Sequence, residues 1–389
     1  MQLADSMARL GTETAFLVLA KARALEAQGR KIVHLEIGEP DFDTPKNISN
    51  AAIKAINEGY THYNPSPGYP DLRKALAEDV NKRRGVEKYE WDNVVVTPGG
   101  KPIIFFSLLA TVNPGDEVIY PNPGFPIYGS VINWMGAKAV PIQLREENDF
   151  RMDVDELKKL ITPKTKYVII NTPQNPTGGI LTKDDLQAIA EIALERKFWV
   201  LSDEIYCNIR YDGFEHHSLL EFDGMEKQLI LLDGFSKTYA MTGWRAGYGC
   251  MPKELAKWVG QLQTNSNSCV NSFVQRACLE AITGPQDEVA KMVAEFKKRR
   301  DVIVDGLNAI PGFKCLKPKG AFYVFPNIKA FKMPSQKMED YLMNEAGVAA
   351  LTGTSFGSFG EGYIRFSYAN SVENIKIALE SIREAVRKL

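Results

Sequence analysis

The stretch Tyr167 to Ser202, YVIINTPQNPTGGILTKDDLQAIAEIALERKFWVLS, decides the fold. It begins with a short β-branched run, Tyr167 to Thr172, and ends with another, Phe198 to Ser202. Between them, residues 181 to 196 have the apolar spacing of an amphipathic helix, with Thr182 as N-cap and carboxylates in the first turn. Short strands alternating with helices make a mostly parallel sheet wrapped by helices. The same alternation extends outward through Asn93 to Thr97 (NVVVT), Glu117 to Pro121 (EVIYP), Ala139 to Leu144 (AVPIQL) and Gln228 to Asp233 (QLILLD). The run Pro102 to Val112, PIIFFSLLATV, is apolar nearly all round and predicts a helix buried on every side.

Beyond residue 281 the pattern changes to a long charged helix, Asp287 to Asn308, then to an α+β region with strands near Ala321 to Phe325 and Tyr363 to Ser367. A second, smaller domain is expected there. The helix-like Thr14 to Gln28 precedes the first sheet strand and is expected to pack on that C-terminal part, since chain termini often lie close together. The expected division is an N-terminal segment 1–46, a large domain 47–285 and a small domain 286–389.

With 389 residues, 44% hydrophobic and 24% charged, the chain is neither disordered nor fibrous. Its 47 basic and 48 acidic side chains leave a net charge of -1, so no general field draws nucleic acid or an anionic membrane surface. The five cysteines form no CxxC pair and read as reduced thiols. The N-terminus lacks the pattern of a secretory signal, and no stretch approaches the roughly 18 apolar residues of a membrane span, so a cytoplasmic location is expected. Four histidines without ligand spacing give no support for a metal site, and the pair His216 and His217 reads as a solvated loop.

In open α/β sheets ligands collect beyond the carboxyl ends of the strands. After the first strand comes Thr97-Pro98-Gly99-Gly100-Lys101 and then a helix, an arrangement that aims unpaired N–H groups at an anion. Neither a Walker A spacing nor GxGxxG occurs. Three further strands lead to Asn175, to Asp203 with Tyr206 close behind, and to Lys237. Singly these are a turn, a helix cap and a solvated lysine. Jointly, an amide, an acid, a phenol and an amine beside a phosphate seat suit pyridoxal phosphate. The amine of Lys237 would form the Schiff base and shuttle the substrate proton, while Asp203 would keep the pyridine nitrogen protonated. Tyr206 and Asn175 would hydrogen-bond the ring oxygen.

The run 234 to 247, GFSKTYAMTGWRAG, resembles the lysine signature of the class I aminotransferases of pyridoxal-phosphate fold type I, the aspartate aminotransferase family, especially its bacterial and archaeal subgroup. The resemblance continues through IGEPDFDTP at 37 to 45, THYNPSPGYPDLR at 61 to 73, NPGFPIY at 122 to 128, NTPQNPTGG, SDEIY, KGAFYVF at 319 to 325 and IRFSYA at 364 to 369. It implies a seven-stranded, mostly parallel sheet sandwiched by helices, with a smaller α+β domain from both termini. It also implies that Phe125 stacks on the cofactor ring, and that Gly100, Lys101, Ser236 and Arg245 hold its phosphate. Tyr63 would reach that phosphate from the neighbouring subunit of a homodimer with shared active sites. Arg365 would grip the substrate α-carboxylate, completed by Asn175 and by Gly38, where a side chain would collide with substrate. The loop Thr352 to Gly357 is expected to close over the substrate.

The implied activity is a ping-pong transfer of an amino group between an L-amino acid and a 2-oxo acid, with glutamate and 2-oxoglutarate as one pair and aspartate or another amino acid as the other. No second cation is assigned to a distal carboxylate. A carbon–sulfur β-lyase on the same fold and a non-catalytic cofactor-binding regulator are the competing readings. The first would release pyruvate from cysteine without an acceptor acid; the second would bind the cofactor without turnover.

Overall fold

The computed structural model describes residues 2–389. Its strands are β1 (Val33–His34), β2 (Val94–Thr97), β3 (Glu117–Asn122), β4 (Lys138–Gln143), β5 (Thr165–Asn171), β6 (Trp199–Asp203), β7 (Leu229–Gly234), β8 (Gly247–Cys250), β9 (Tyr323–Val324), β10 (Val348–Ala349), β11 (Leu351–Thr352) and β12 (Ile364–Ser367). Seven of them form one sheet in the order β2-β8-β7-β6-β5-β3-β4. All neighbours are parallel except β8, which runs antiparallel to both β2 and β7.

Strands buried on both faces have no polar side and read as continuous apolar runs. Val94 and Val96 of β2, with Val168 and Ile170 of β5, enter one buried cluster; Val95 and Ile169 enter another on the opposite face. This is the alternation of a pleated strand between two helical layers. Helix Lys183–Arg196, on the first face, starts at the expected Thr182 cap, whose hydroxyl and the Asp185 carboxylate close a reciprocal capping box.

The strand without an apolar run is β8, sequence GYGC. A Cβ on Gly247 would stand 2.6 Å from the Gly100 nitrogen, so β8 fits under the Gly99–Gly100 turn only as glycine there. The helix expected to be buried all round, Lys101–Thr111, instead leaves Leu109 41% exposed. Its inner residues Ile103, Ile104 and Leu108 are buried, whereas Leu109 and Ala110 face outward.

A further buried cluster joins Leu35 to residues of the long helix Asp287–Asn308, to β9 and β12, and to the C-terminal helix Val372–Val386. There β11, β12 and β9 form an antiparallel sheet, and β1 pairs with β10. Residues nearer the N-terminus go elsewhere: Arg9 Nε donates to the Asn133 carbonyl at 3.0 Å, and the Ser130 hydroxyl to the Gly11 carbonyl at 3.0 Å, both at helix Ile127–Trp134. His216 departs from the solvated loop expected of it. Its Nε2 lies 2.6 Å from Oε2 of Glu204, a fully buried carboxylate that also pairs with Arg84. A buried charge needs such partners.

Candidate active site

The chain lays β5 on the opposite side of β3 from β4, so the strand order reverses at this point. A crevice forms at such a reversal. A cavity of about 540 Å3 opens there, lined by every site residue expected from the sequence except Tyr63. Tyr63 is 89% exposed and lies outside the cavity.

The floor is built from strand ends. Asp203, the last residue of β6, is buried, and its carboxylate accepts from the Tyr128 hydroxyl at 2.6 Å and from the Ile205 N–H at 3.2 Å. Burial disfavours the charged form and raises this carboxyl to about 6, although the Tyr128 hydrogen bond pulls it back down. Asn171, at the end of β5, donates to the Asp203 carbonyl at 2.9 Å and accepts from the Asn175 N–H at 2.9 Å. One amide thereby ties two neighbouring strand ends together.

Lys237 follows β7 in the short helix Phe235–Thr238 and donates to the Gly38 carbonyl at 2.6 Å. Burial lowers its amine to about 8, so about a tenth of it is neutral at pH 7. At Gly38 a Cβ would also meet protein: it would stand 2.2 Å from the Tyr323 hydroxyl. That hydroxyl lies 2.8 Å from the Tyr206 hydroxyl, and burial raises the pKa of both phenols, keeping them protonated as donors.

Arg365, from β12, reaches the cavity from the other core. It donates to Asn175 Oδ1 at 3.3 Å and to the Glu36 carbonyl, and lies between the rings of Tyr323 and Phe356. Its Nε, buried, has no hydrogen-bond partner among the described residues. A fixed guanidinium with an unused donor is suited to a carboxylate. Phe356 belongs to the turn Gly353–Phe356, which is a packed wall of the cavity; Ser355 in it accepts from the Thr14 hydroxyl at 2.6 Å.

The opposite end is cationic. Arg245 donates to the Thr242 carbonyl at 2.8 Å beside the Gly99–Gly100 turn, where helix Lys101–Thr111 begins and Ser236 lies near. Phe125, after β3, packs edge-on against Tyr128 with ring centroids 5.6 Å apart. Tyr128 and Tyr323 fall within the motifs NPGFPIY and KGAFYVF, where nothing local signals a role for either. Each is an aromatic with a polar tip in an apolar run, and a buried phenol needs a partner. Asn171 and Glu13 also line the cavity without having been singled out.

Comparison with known proteins agrees with this geometry. The model of the aminotransferase class I and II family matches residues 30–382. The aspartate aminotransferase of Musicola paradisiaca is 39% identical over 386 residues, which span 99% of this chain and 96% of that protein. The aromatic-amino-acid aminotransferase 2 of Thermococcus litoralis is 39% identical over 365 residues, 93% of this chain and 94% of that one. Among solved structures, the aspartate aminotransferase from Thermus thermophilus with maleate superposes with a TM-score of 0.95 at 36% identity, covering 99% of this chain and 100% of that chain.

Proposed function

We propose, because this chain belongs to the aminotransferase class I and II family, that it is a homodimeric pyridoxal-phosphate enzyme carrying an amino group from an L-amino acid to a 2-oxo acid in two half-reactions. The observation that carries the reading is the convergence of Lys237, Asp203 and Arg365 on one cavity, each from a different element.

The donor set fits the cofactor. Asp203 is a buried carboxyl bonded only by neutral donors, so a protonated ring nitrogen opposite it would supply the missing counter-charge. Arg245, the Ser236 hydroxyl, and the backbone N–H groups of Gly100 and Lys101 at a helix start suit a phosphate, joined by the partner subunit's Tyr63. Phe125 supplies an aromatic face for the ring, and Tyr206 and Asn175 donors for its oxygen. When bound, pyridoxal phosphate supplies an aldehyde that condenses with amines and an electron-poor ring that stabilises negative charge at the substrate α carbon.

The chain's own residues do the rest. Lys237, with its amine lowered to about 8, would hold the cofactor's aldehyde and would move the proton at the substrate α carbon. Arg365 takes the substrate α-carboxylate with its free Nε–H, and Asn175 steadies that guanidinium. Gly38 leaves room for Tyr323, which braces Tyr206. A large unit, 47–285, and a smaller one, 286–389, with 1–46 packing on the latter, are supported by the pairing of β1 with β10 and by Leu35 joining the buried cluster of helices Asp287–Asn308 and Val372–Val386. Five free cysteines accord with a reducing, cytoplasmic setting.

The test is a screen of amino donors against 2-oxoglutarate, with cofactor supplied. Glutamate formed in proportion to donor consumed supports the reading. Pyruvate released from cysteine without any acceptor would replace it with a β-lyase, and cofactor binding without turnover would replace it with a regulator.

A further inference from the structure

Four cations of this chain line the cavity: Lys101, Lys237, Arg245 and Arg365. Three have tasks in the transfer reaction, at the cofactor aldehyde, its phosphate and the α-carboxylate. Lys101 contributes its backbone N–H there, so among the described lining residues its side-chain ammonium is the cation left to meet a substrate side chain. That ammonium stands 5.7 Å from the centroid of the Phe125 ring and is ion-paired to Glu13 Oε1.

Glu13 is a placed residue. Two residues before it, the Gly11 carbonyl accepts from Ser130 at 3.0 Å; immediately after it, Thr14 is bonded to Ser355 at 2.6 Å. The segment is thus tied to both walls of the cavity, with the Glu13 side chain only 21% exposed. A second carboxylate of the lining, Glu39, accepts from the Thr242 hydroxyl. The lining also includes the apolar side chains Phe16, Ile37, Leu351 and Phe356. A substrate's distal carboxylate would meet an ammonium already neutralised and a carboxylate beside it. Like charges close together are repelled, whereas an aromatic or aliphatic side chain meets apolar surface.

We propose that Glu13 is a specificity-determining residue: by holding the Lys101 ammonium, it turns the site against amino acids with a distal carboxylate and toward those with an uncharged aromatic or aliphatic side chain. A dicarboxylic substrate, glutamate included, has to displace Glu13 from Lys101 before its own carboxylate finds a cation. Selectivity is then a difference between two affinities, set partly by an unfavourable element. This inference rests on the aminotransferase reading of the same pocket.

The experiment compares holoenzyme of wild type, Glu13→Gln, Lys101→Met and the double variant. Two quantities are measured: kcat/KM for aspartate and for phenylalanine, and dissociation constants of maleate and 3-phenylpropionate by calorimetry. Freeing a cation for a charge-assisted hydrogen bond corresponds to about tenfold or more, so Glu13→Gln should raise the aspartate-to-phenylalanine ratio and tighten maleate relative to 3-phenylpropionate by about that factor. Adding Lys101→Met should cancel both gains. A ratio that stays level or falls in Glu13→Gln, or a gain that survives Lys101→Met, overturns the role of Glu13. A wild-type holoenzyme that transaminates neither donor overturns the reaction itself, so the two failures are distinguishable.

Discussion

The Tyr128 hydroxyl donates to Asp203 Oδ2 at 2.6 Å, and both side chains are buried beneath the pocket. This phenol is the side-chain donor that opposes the effect of burial on the carboxyl. Tyr128→Phe should therefore push the Asp203 pKa above about 6 and leave less carboxylate at neutral pH to face a ring cation. A hydrogen bond to a charged group is worth about 1.5 to 3 kcal/mol. The variant should bind pyridoxal phosphate roughly tenfold more weakly or worse at neutral pH, as read by fluorescence titration.

The same carboxyl should leave a mark on the stability of the cofactor-free protein. Burial raises Asp203 from the usual value near 4 to about 6. Between those pH values the native state keeps a proton that the unfolded chain has released, so stability falls as pH rises and the loss is complete above about 6. The loss is on the order of 3 kcal/mol. Urea midpoints of wild type should decline across this window more than those of Asp203→Asn; parallel curves would show that the carboxyl is not raised.

Lys237 carries the opposite shift. Its amine, lowered by burial to about 8, should react with an amine-selective reagent in the cofactor-free protein with a midpoint near pH 8. Exposed lysines titrate near 10.4. Peptide mapping over a pH series measures this directly, and a midpoint at the ordinary lysine value would remove the argument that Lys237 is primed.

At Gly38 the constraint is steric. A Cβ 2.2 Å from the Tyr323 hydroxyl forces that phenol away and breaks its 2.8 Å contact with Tyr206. Overpacking of this kind costs about 1 to 3 kcal/mol. Gly38→Ala should lower stability by that amount and kcat/KM by about tenfold or more, while the double change Gly38→Ala with Tyr323→Phe should recover part of the stability.

Arg365→Ala should raise the KM for amino donors about tenfold or more, since the α-carboxylate loses a charge-assisted donor. The cofactor spectrum should persist, because Arg365 lies at the substrate end. A KM unchanged from wild type would take Arg365 out of the pocket.

Much of this was legible in local sequence. The apolar runs that became β2, β5, β6 and β7 declare themselves, and Asn175, Asp203 and Lys237 follow three of them closely enough to be placed at one sheet edge. The long helix Asp287–Asn308 begins and ends where its charge pattern does. What escaped depends on distant partners. GYGC gives no strand signal, because Gly247 answers a packing demand from Gly99 and Gly100, and Gly249 one from Ile103 and Met251. Tyr128 meets Asp203 across 75 positions, Tyr206 meets Tyr323 across 117, and Lys101 meets Glu13 across 88. His216 looked solvated because the buried charge it serves, Glu204, follows β6 at a separation of 12 positions that local pattern does not connect to it. Tyr63 is exposed and stands outside the cavity of its own chain.

The central claim is a covalent bond at one amine. Purified protein stripped of cofactor, mixed with pyridoxal phosphate, treated with borohydride and digested, should yield a single labelled peptide modified at Lys237, close to one label per chain. Asp203→Asn should label more weakly, and Lys237→Ala not at all. Absence of label in the wild type, or label carried by another lysine, would contradict the account.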